Sequence, residues 1–510
     1  MDKDFLSMAS QTIVDSEDNL SVTENGARGF KSTGKALVDI NFAVSSLRGA
    51  DDDTIISKFS AACAENLDLA IMWLFFARDI RGGMGERRLF RVCLKYLARE
   101  FPDKVRNVLP LVPEYGRWDD VMCLLDSKVQ DDVAQMVKKQ LAQDAENCIQ
   151  NKPISLLAKW MPSINASSSS RRELAEVLAK KIGLQPMVYQ KTLASLRSYL
   201  NVVEKKMSNQ QWDEIQYSAV PSRANLLYNK AFLRHDEERR RDFLSKVEKG
   251  EEKINAGAVF PHDIVHKYGC RPVSEDATLE FMWKALPNTV KDGEGTIVVA
   301  DGSGSMWTNV GDSRVEAIEV ANALAIYFAE RLPKPYKDKY ITFSTRPQIV
   351  DLGGGTTLFN KLKTAYCYCE VANTNIEAVF DLILNTAERN HLKQDQIPNN
   401  ILIISDMEFD EASEMRVRGR WVSPSMTLFD NIRTKYELAG YKMPRLVFWN
   451  VCSRTGTIPV KENDLGVALV SGFSPNIAKM VMSNKTDPYE VLVDTLKGER
   501  YAPVADALKR

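Results

Sequence analysis

The sequence predicts two classes of structure in one chain: an α-helical array over residues 35–290, then a doubly wound α/β domain over 291–510, with 1–34 as an N-terminal tail or extension. Three observations carry this. From about residue 35 to 287, apolar residues recur at helical spacing with almost no period-two alternation. Beyond about 291, short apolar runs of strand type alternate with amphipathic helices, as in a parallel sheet. The 510 residues are long enough for several buried cores, at roughly 100–200 residues per domain.

In the first half, helical periodicity runs through 68–77, 87–98, 131–141, 172–182 and 189–203. Breakers separate these segments: Arg81-Gly82-Gly83-Met84-Gly85, the stretch from Pro110 to Pro113, Pro162, and the serines 167–170, which cap a helix starting near Arg171. In the second half, strands are expected at 296–300, 339–343, 347–352, 400–405, 445–451 and 466–471. Helices are expected between them at 314–332, 375–388 and 428–438, with a closing helix at 489–497.

Composition excludes several classes. With 67 Lys+Arg against 68 Asp+Glu, no global positive field exists to collect phosphate, so any nucleic-acid contact needs a local patch. The longest apolar run, 69–77, is about half the roughly 18 residues a membrane span needs, and no secretory h-region follows Met1. Eight scattered cysteines fit reduced thiols, and a cytoplasmic setting is expected.

The strongest chemical signal sits at predicted strand ends, where open α/β sheets bind ligands. Asp301-Gly302-Ser303-Gly304-Ser305 follows the first strand of the α/β domain, Thr374 precedes the 375–388 helix, and Ser405-Asp406 ends the 400–405 strand. Such oxygen donors suit hard cations. This half resembles a von Willebrand factor A domain with a metal-ion-dependent adhesion site. The resemblance implies that Ser303, Ser305 and Thr374 ligate Mg²⁺, or Mn²⁺ or Ca²⁺, with Asp301 and Asp406 acting through water, and that a protein partner donates an acidic group to the ion. The sequence departs from the pattern at Asn373-Thr374-Asn375, where many family members carry a glycine two residues before the threonine.

A helical array ahead of such a domain is the order of the Ro proteins, whose helical part is the TROVE module. The segments Pro113-Glu114-Tyr115-Gly116-Arg117-Trp118-Asp119-Asp120, Lys159-Trp160-Met161-Pro162-Ser163 and Arg234-His235-Asp236 are similar to a less characterised family of this architecture. The resemblance implies a HEAT-like array, closed into a ring in Ro, that binds noncoding or misfolded RNA. Independently, residues 151–200 carry eight basic residues (Lys152, Lys159, Arg171, Arg172, Lys180, Lys181, Lys191, Arg197) against Glu173 and Glu176, a net of +6. Those eight are the candidate RNA contacts, and the alternative for them is a solvated helix surface. Trp118, Trp160 and Trp212 could stack on bases or lie in the core.

Other chemistry finds little support. His262 and His266 stand at i, i+4 with Cys270 four further on, a spacing that suits zinc but fits a capped, partly buried helix better. No phosphate-binding G-x-x-x-x-G-K-[ST] and no nucleophile elbow occur. The reading is a non-enzymatic, Ro-like RNA-binding protein whose metal-bearing domain contacts protein. Its alternative is a Mg²⁺-dependent protein-interaction scaffold that does not bind RNA.

Overall fold

Short, almost continuously buried apolar runs after residue 295 assemble into one sheet. The computed structural model describes residues 19–290, 295–343, 346–369, 375–409, 415–417, 420–422, 428–459, 468–477 and 487–510. Its strands are β1 (Leu20–Val22), β2 (Arg28–Phe30), β3 (Thr296–Asp301), β4 (Lys339–Phe343), β5 (Gln348–Asp351), β6 (Asn400–Ser405), β7 (Met415–Val417), β8 (Arg420–Val422), β9 (Arg445–Asn450) and β10 (Ala468–Ser471). Six of them form a sheet in the order β10-β9-β6-β3-β4-β5, parallel except for β5, which runs antiparallel to β4. β1–β2 and β7–β8 are separate antiparallel hairpins.

The topology decides where a ligand can sit. From central β3 the chain moves to one side through β4 and β5, then returns to the other side of β3 through β6, β9 and β10. β3 and β6 are therefore neighbours at the switch point, paired from Thr296↔Asn400 to Ala300↔Ile404. Their outgoing loops separate there and leave a crevice at the carboxyl ends. Alternation sorts the side chains: Val299, Ile401, Ile403, Leu446 and Phe448 join one core with Val379 and Phe380 of the Glu377–Arg389 helix and with Phe429 and Ile432 of the Leu428–Leu438 helix. The Ala317–Ala329 helix is buried along its whole length, its alanines allowing close approach, and Phe328 meets Trp449 edge-on at 5.3 Å.

Contacts divide the chain into two compact units that cross the boundaries expected at 34 and 290. The sheet unit takes residues 1–67, 260–276 and 287–495. The described part of the N-terminal segment packs on the sheet as an extension of it: Phe30 and Ile458 exchange backbone hydrogen bonds at 2.8 Å, and Val38 and Phe42 of the Ala36–Ala43 helix enter the sheet core. Ser45 N donates to Ser471 Oγ at 2.9 Å. These partners lie more than 400 residues apart in sequence, so no local pattern announces them.

The helical unit comprises residues 68–259, 277–286 and 496–510, so the final residues expected in the α/β domain belong to the helices. Expected segments appear as the helices Leu67–Arg78, Arg88–Glu100, Gln130–Ile149, Ser169–Lys181 and Pro186–Tyr199. The glycine run after the first of these is a tight helix end: Gly83 N bonds Asp79 O at 3.0 Å and Met84 N bonds Phe76 O at 3.2 Å. A Cβ on Gly83 would stand 1.9 Å from Phe76 O. Gly83→Ala is expected to cost about 3 kcal/mol, read as a fall in the midpoint of chemical denaturation. Among the described residues, no helix is long and apolar enough to cross a membrane.

Candidate metal site and basic groove

Two places carry chemistry, one in each unit. In the sheet unit, β3 ends on Asp301, and Gly304–Met306 turns as a single 3₁₀ helix that brings the serines round. Asp301 is 1% exposed. Its Oδ1 accepts from Ser303 N at 2.9 Å, and its Oδ2 accepts from Ser405 Oγ at 2.7 Å across the β3–β6 crevice. Ser303 Oγ and Ser305 Oγ lie 2.9 Å apart. Asp406, 2% exposed, accepts from Glu408 N at 3.2 Å and from Arg454 Nη2 at 3.3 Å. The structure thus brings Asp301, Ser303, Ser305 and Asp406 together; Thr374 lies outside the described residues.

Burial, and then the negative charge of Asp406, push the Asp301 carboxyl up to about 7. Burial raises Asp406 as well, against the opposing pull of Ser305, the Glu408 amide and Arg454. Two desolvated carboxylates and two hydroxyls, with the Arg454 guanidinium beside Asp406, form an oxygen-only donor set whose chemistry fits a hard divalent ion. Among the described residues, no three His, Cys, Asp or Glu side chains are arranged to hold a metal, so such an ion here depends on the serines.

The histidines behave otherwise. His262 packs against Phe473 with ring centroids 4.8 Å apart, and His266 Nδ1 meets Glu319 at 2.7 Å, while Cys270 Sγ approaches Glu316 at 3.1 Å. The Pro261–Tyr268 helix is capped by Asp263 on Phe260 N and ends at Gly269 with φ 70°. It is a capped, partly buried helix.

In the helical unit, a groove of about 990 Å³ opens between the Leu157–Trp160, Pro186–Tyr199, Val203–Ser208 and Ser222–His235 helices. Six basic residues line it, Arg117, Lys159, Arg171, Arg197, Lys205 and Arg223, against one acid, Glu204; Trp160 and Tyr228 add aromatic surface. Of the eight candidates from sequence, the fold brings Lys159, Arg171 and Arg197 into the groove. Arg197 is largely structural, donating to Ala158 O, Met161 O and Ser163 Oγ at 2.6–2.7 Å. Lys159 lies 3.6 Å from Glu204, whereas Arg171 and Lys205 have no acidic partner among the described residues.

The remaining five point elsewhere. Arg172 holds the carbonyls of Ala166 and Ser167 ahead of its own helix, and Lys181 reaches Gln130 Oε1 at 2.7 Å. Lys152, Lys180 and Lys191 are exposed and do not line the groove. Trp160 is faced by the Arg117 guanidinium at 3.9 Å, while Trp212 stacks on His235 at 4.4 Å.

Sequence reasoning missed Arg117, Lys205 and Arg223 because it counted charge in a fixed window. The signal for Arg117 was the segment from Pro113 to Asp120. There Gly116 leaves room for Asp120, since a Cβ would lie 2.5 Å from Asp120 Oδ2, and Asp119 grips Arg117 at 2.7 and 2.9 Å. That grip aims the guanidinium at Trp160. Arg454 was missed as well, although it follows β9 at the same end of the sheet as Asp301.

A model described as domain of unknown function DUF7788 matches residues 295–501, and one described as domain of unknown function DUF2828 matches 184–295. Among solved structures, the Ro (RSR) protein of Deinococcus radiodurans aligns over 92% of this chain and all of its own, at 13% identity and a TM-score of 0.46. Uncharacterized protein L728 of Acanthamoeba polyphaga mimivirus is 30% identical over 527 residues, covering 95% of this chain and 89% of that protein. The chain belongs to the same family as this mimiviral protein.

Proposed function

We propose that the protein is a non-enzymatic, Ro-like RNA-binding protein, in which the helical unit holds RNA and the strand-end site of the sheet unit, an A-domain-like adhesion site, carries Mg²⁺ or a similar divalent ion for contact with a protein partner. The observation that carries the RNA part is the groove: six cations to one acid beside aromatic surface, in a chain with no net positive charge to spread. Phosphate attraction supplies affinity there, and Trp160 and Tyr228 offer faces on which unpaired bases stack. For the metal part, Ser303 and Ser305 would be ligands, with Asp301 and Asp406 behind them. Neutral hydroxyl ligands leave the ion electrophilic toward a partner's carboxylate.

The test is RNA binding to the full chain at two salt concentrations. Affinity for single-stranded and noncoding RNA is expected to fall with salt, and Arg171→Glu with Lys205→Glu to weaken it about tenfold while lowering the salt slope by about 1–2. The buried Asp301–Asp406 pair favours the second reading, a divalent-dependent protein scaffold without RNA binding. Salt-insensitive or undetectable RNA binding, together with a partner retained only when Mg²⁺ is present, would select that second reading.

A further inference from the structure

The strand-end site has a cation of its own. Arg454 follows β9, and its Nη2 stands between two carboxylates, 2.7 Å from Glu24 and 3.3 Å from Asp406. The two acids differ in setting: the Asp406 side chain is 2% exposed and that of Glu24 is 56% exposed. Glu24 sits in the turn of the β1–β2 hairpin, which is bound to the same loop by three further contacts. Glu24 N donates to Glu408 Oε2 at 2.8 Å, Asn25 Nδ2 to Glu408 O at 2.6 Å, and Thr23 Oγ1 to Phe409 O at 2.6 Å. Glu408 itself is fully buried and also accepts from Arg454 N and Thr455 N, both at 2.9 Å. The loop after β6, the loop after β9 and the hairpin therefore share one hydrogen-bonded network, with the partly exposed Arg454 guanidinium as its cation.

A buried carboxylate needs a compensating charge. Among the described residues, Arg454 is the cation paired with Asp406. A divalent ion held by Ser303 and Ser305 in front of Asp301 and Asp406 would supply that compensation and repel the guanidinium. Glu24, already the nearer acid, is placed to receive it.

We propose that Arg454 is a built-in competitor for the divalent ion, standing in as counter-ion to Asp406 until the ion binds, and that Glu24 of the β1–β2 hairpin sets the ion's affinity by drawing Arg454 away. Arg454 and Glu24 are positioning residues, not ligands. The inference deepens the metal reading above and rests on it. It makes the hairpin part of the site: whatever loosens Glu24 from Arg454 weakens ion binding, so the N-terminal segment becomes a point of control over partner capture.

The experiment measures Mn²⁺ and Mg²⁺ affinity of the full chain by calorimetry and by the electron paramagnetic resonance of free Mn²⁺. Arg454→Gln is expected to tighten binding about tenfold, because a positive charge beside the site is gone. Glu24→Gln is expected to weaken it about threefold, because Arg454 then leans on Asp406 alone. The double variant should match Arg454→Gln, since Glu24 acts only through Arg454. Both side chains are partly exposed, so folding is expected to survive, and equal thermal midpoints check this. If the unaltered chain binds no divalent ion, the metal reading falls. If it binds but Arg454→Gln leaves affinity unchanged or weaker, or Glu24→Gln acts equally with and without Arg454, the competitor role is overturned and the metal reading stands.

Discussion

Asp120→Ala is expected to destabilise the helical unit by about 3–5 kcal/mol. Asp120 is fully buried and accepts from Arg78 Nε at 2.8 Å, Arg91 Nε at 2.7 Å and Arg117 N at 2.9 Å. Next to it, Asp119 accepts from Arg87 Nη2 at 2.6 Å and from Nε and Nη2 of Arg117. Burial pushes the Asp119 carboxyl up, but Arg117, Arg87 and Arg91 outweigh burial and hold it below the usual range. Removing Asp120 leaves Arg78, whose side chain is 6% exposed, without its carboxylate in a site closed to water. Circular dichroism against denaturant should show the loss. Asp120→Asn should recover part of it, since the amide keeps an acceptor but not the charge. RNA affinity should fall with it even where the protein remains folded, because Arg117 is oriented from this network. A variant as stable as the parent would show that the arginines find other partners.

Asp301→Asn is expected to lower divalent affinity at least a hundredfold while raising stability. The substitution keeps the shape of a side chain that accepts from Ser303 N and Ser405 Oγ but removes one of two desolvated negative charges. The pH dependence follows from the direction of the shift. With its folded carboxyl raised to about 7 against an ordinary value near 3.8, Asp301 binds a proton more tightly in the folded state. Its contribution to stability is then fully present below about 3.8 and is lost as pH rises through about 7. Chelator-treated protein should therefore melt at a higher temperature at pH 5.5 than at pH 8, with added Mn²⁺ restoring most of the difference at pH 8. The Asn variant should show a flatter pH profile and no response to Mn²⁺. A parent chain with no melting response to Mn²⁺ at either pH would remove the metal from the proposal.

Local pattern made most secondary structure legible. The strands at 339–343 and 400–405 fall where short apolar runs put them and the helix at 428–438 where helical spacing does, because each pattern is written within a dozen residues. The strand-end acids were legible because Asp301 and Asp406 each close a predicted strand, where open sheets bind ligands, whereas the pairing of β3 with β6 that makes them neighbours is a property of the fold. Basic residues were less legible. A charge count along the chain does not say which side of a helix each residue occupies, and of eight counted together three reach the groove while Arg117, Lys205 and Arg223 come from outside the counted stretch.

The helical and α/β classes, the Asp301-x-Ser303-x-Ser305 turn and the acid at the end of β6 are all legible along the chain, being properties of short range. It is tertiary packing that sets Phe30, Val38 and Phe42 in the core of a sheet whose first strand begins more than 250 residues later, the last helix, Ala502–Leu508, in the helical unit, and Arg454 and Glu24 beside Asp406. The physical reason is common to all three. Burial of apolar surface and compensation of buried charge act through space, and neither requires the partners to be near in sequence.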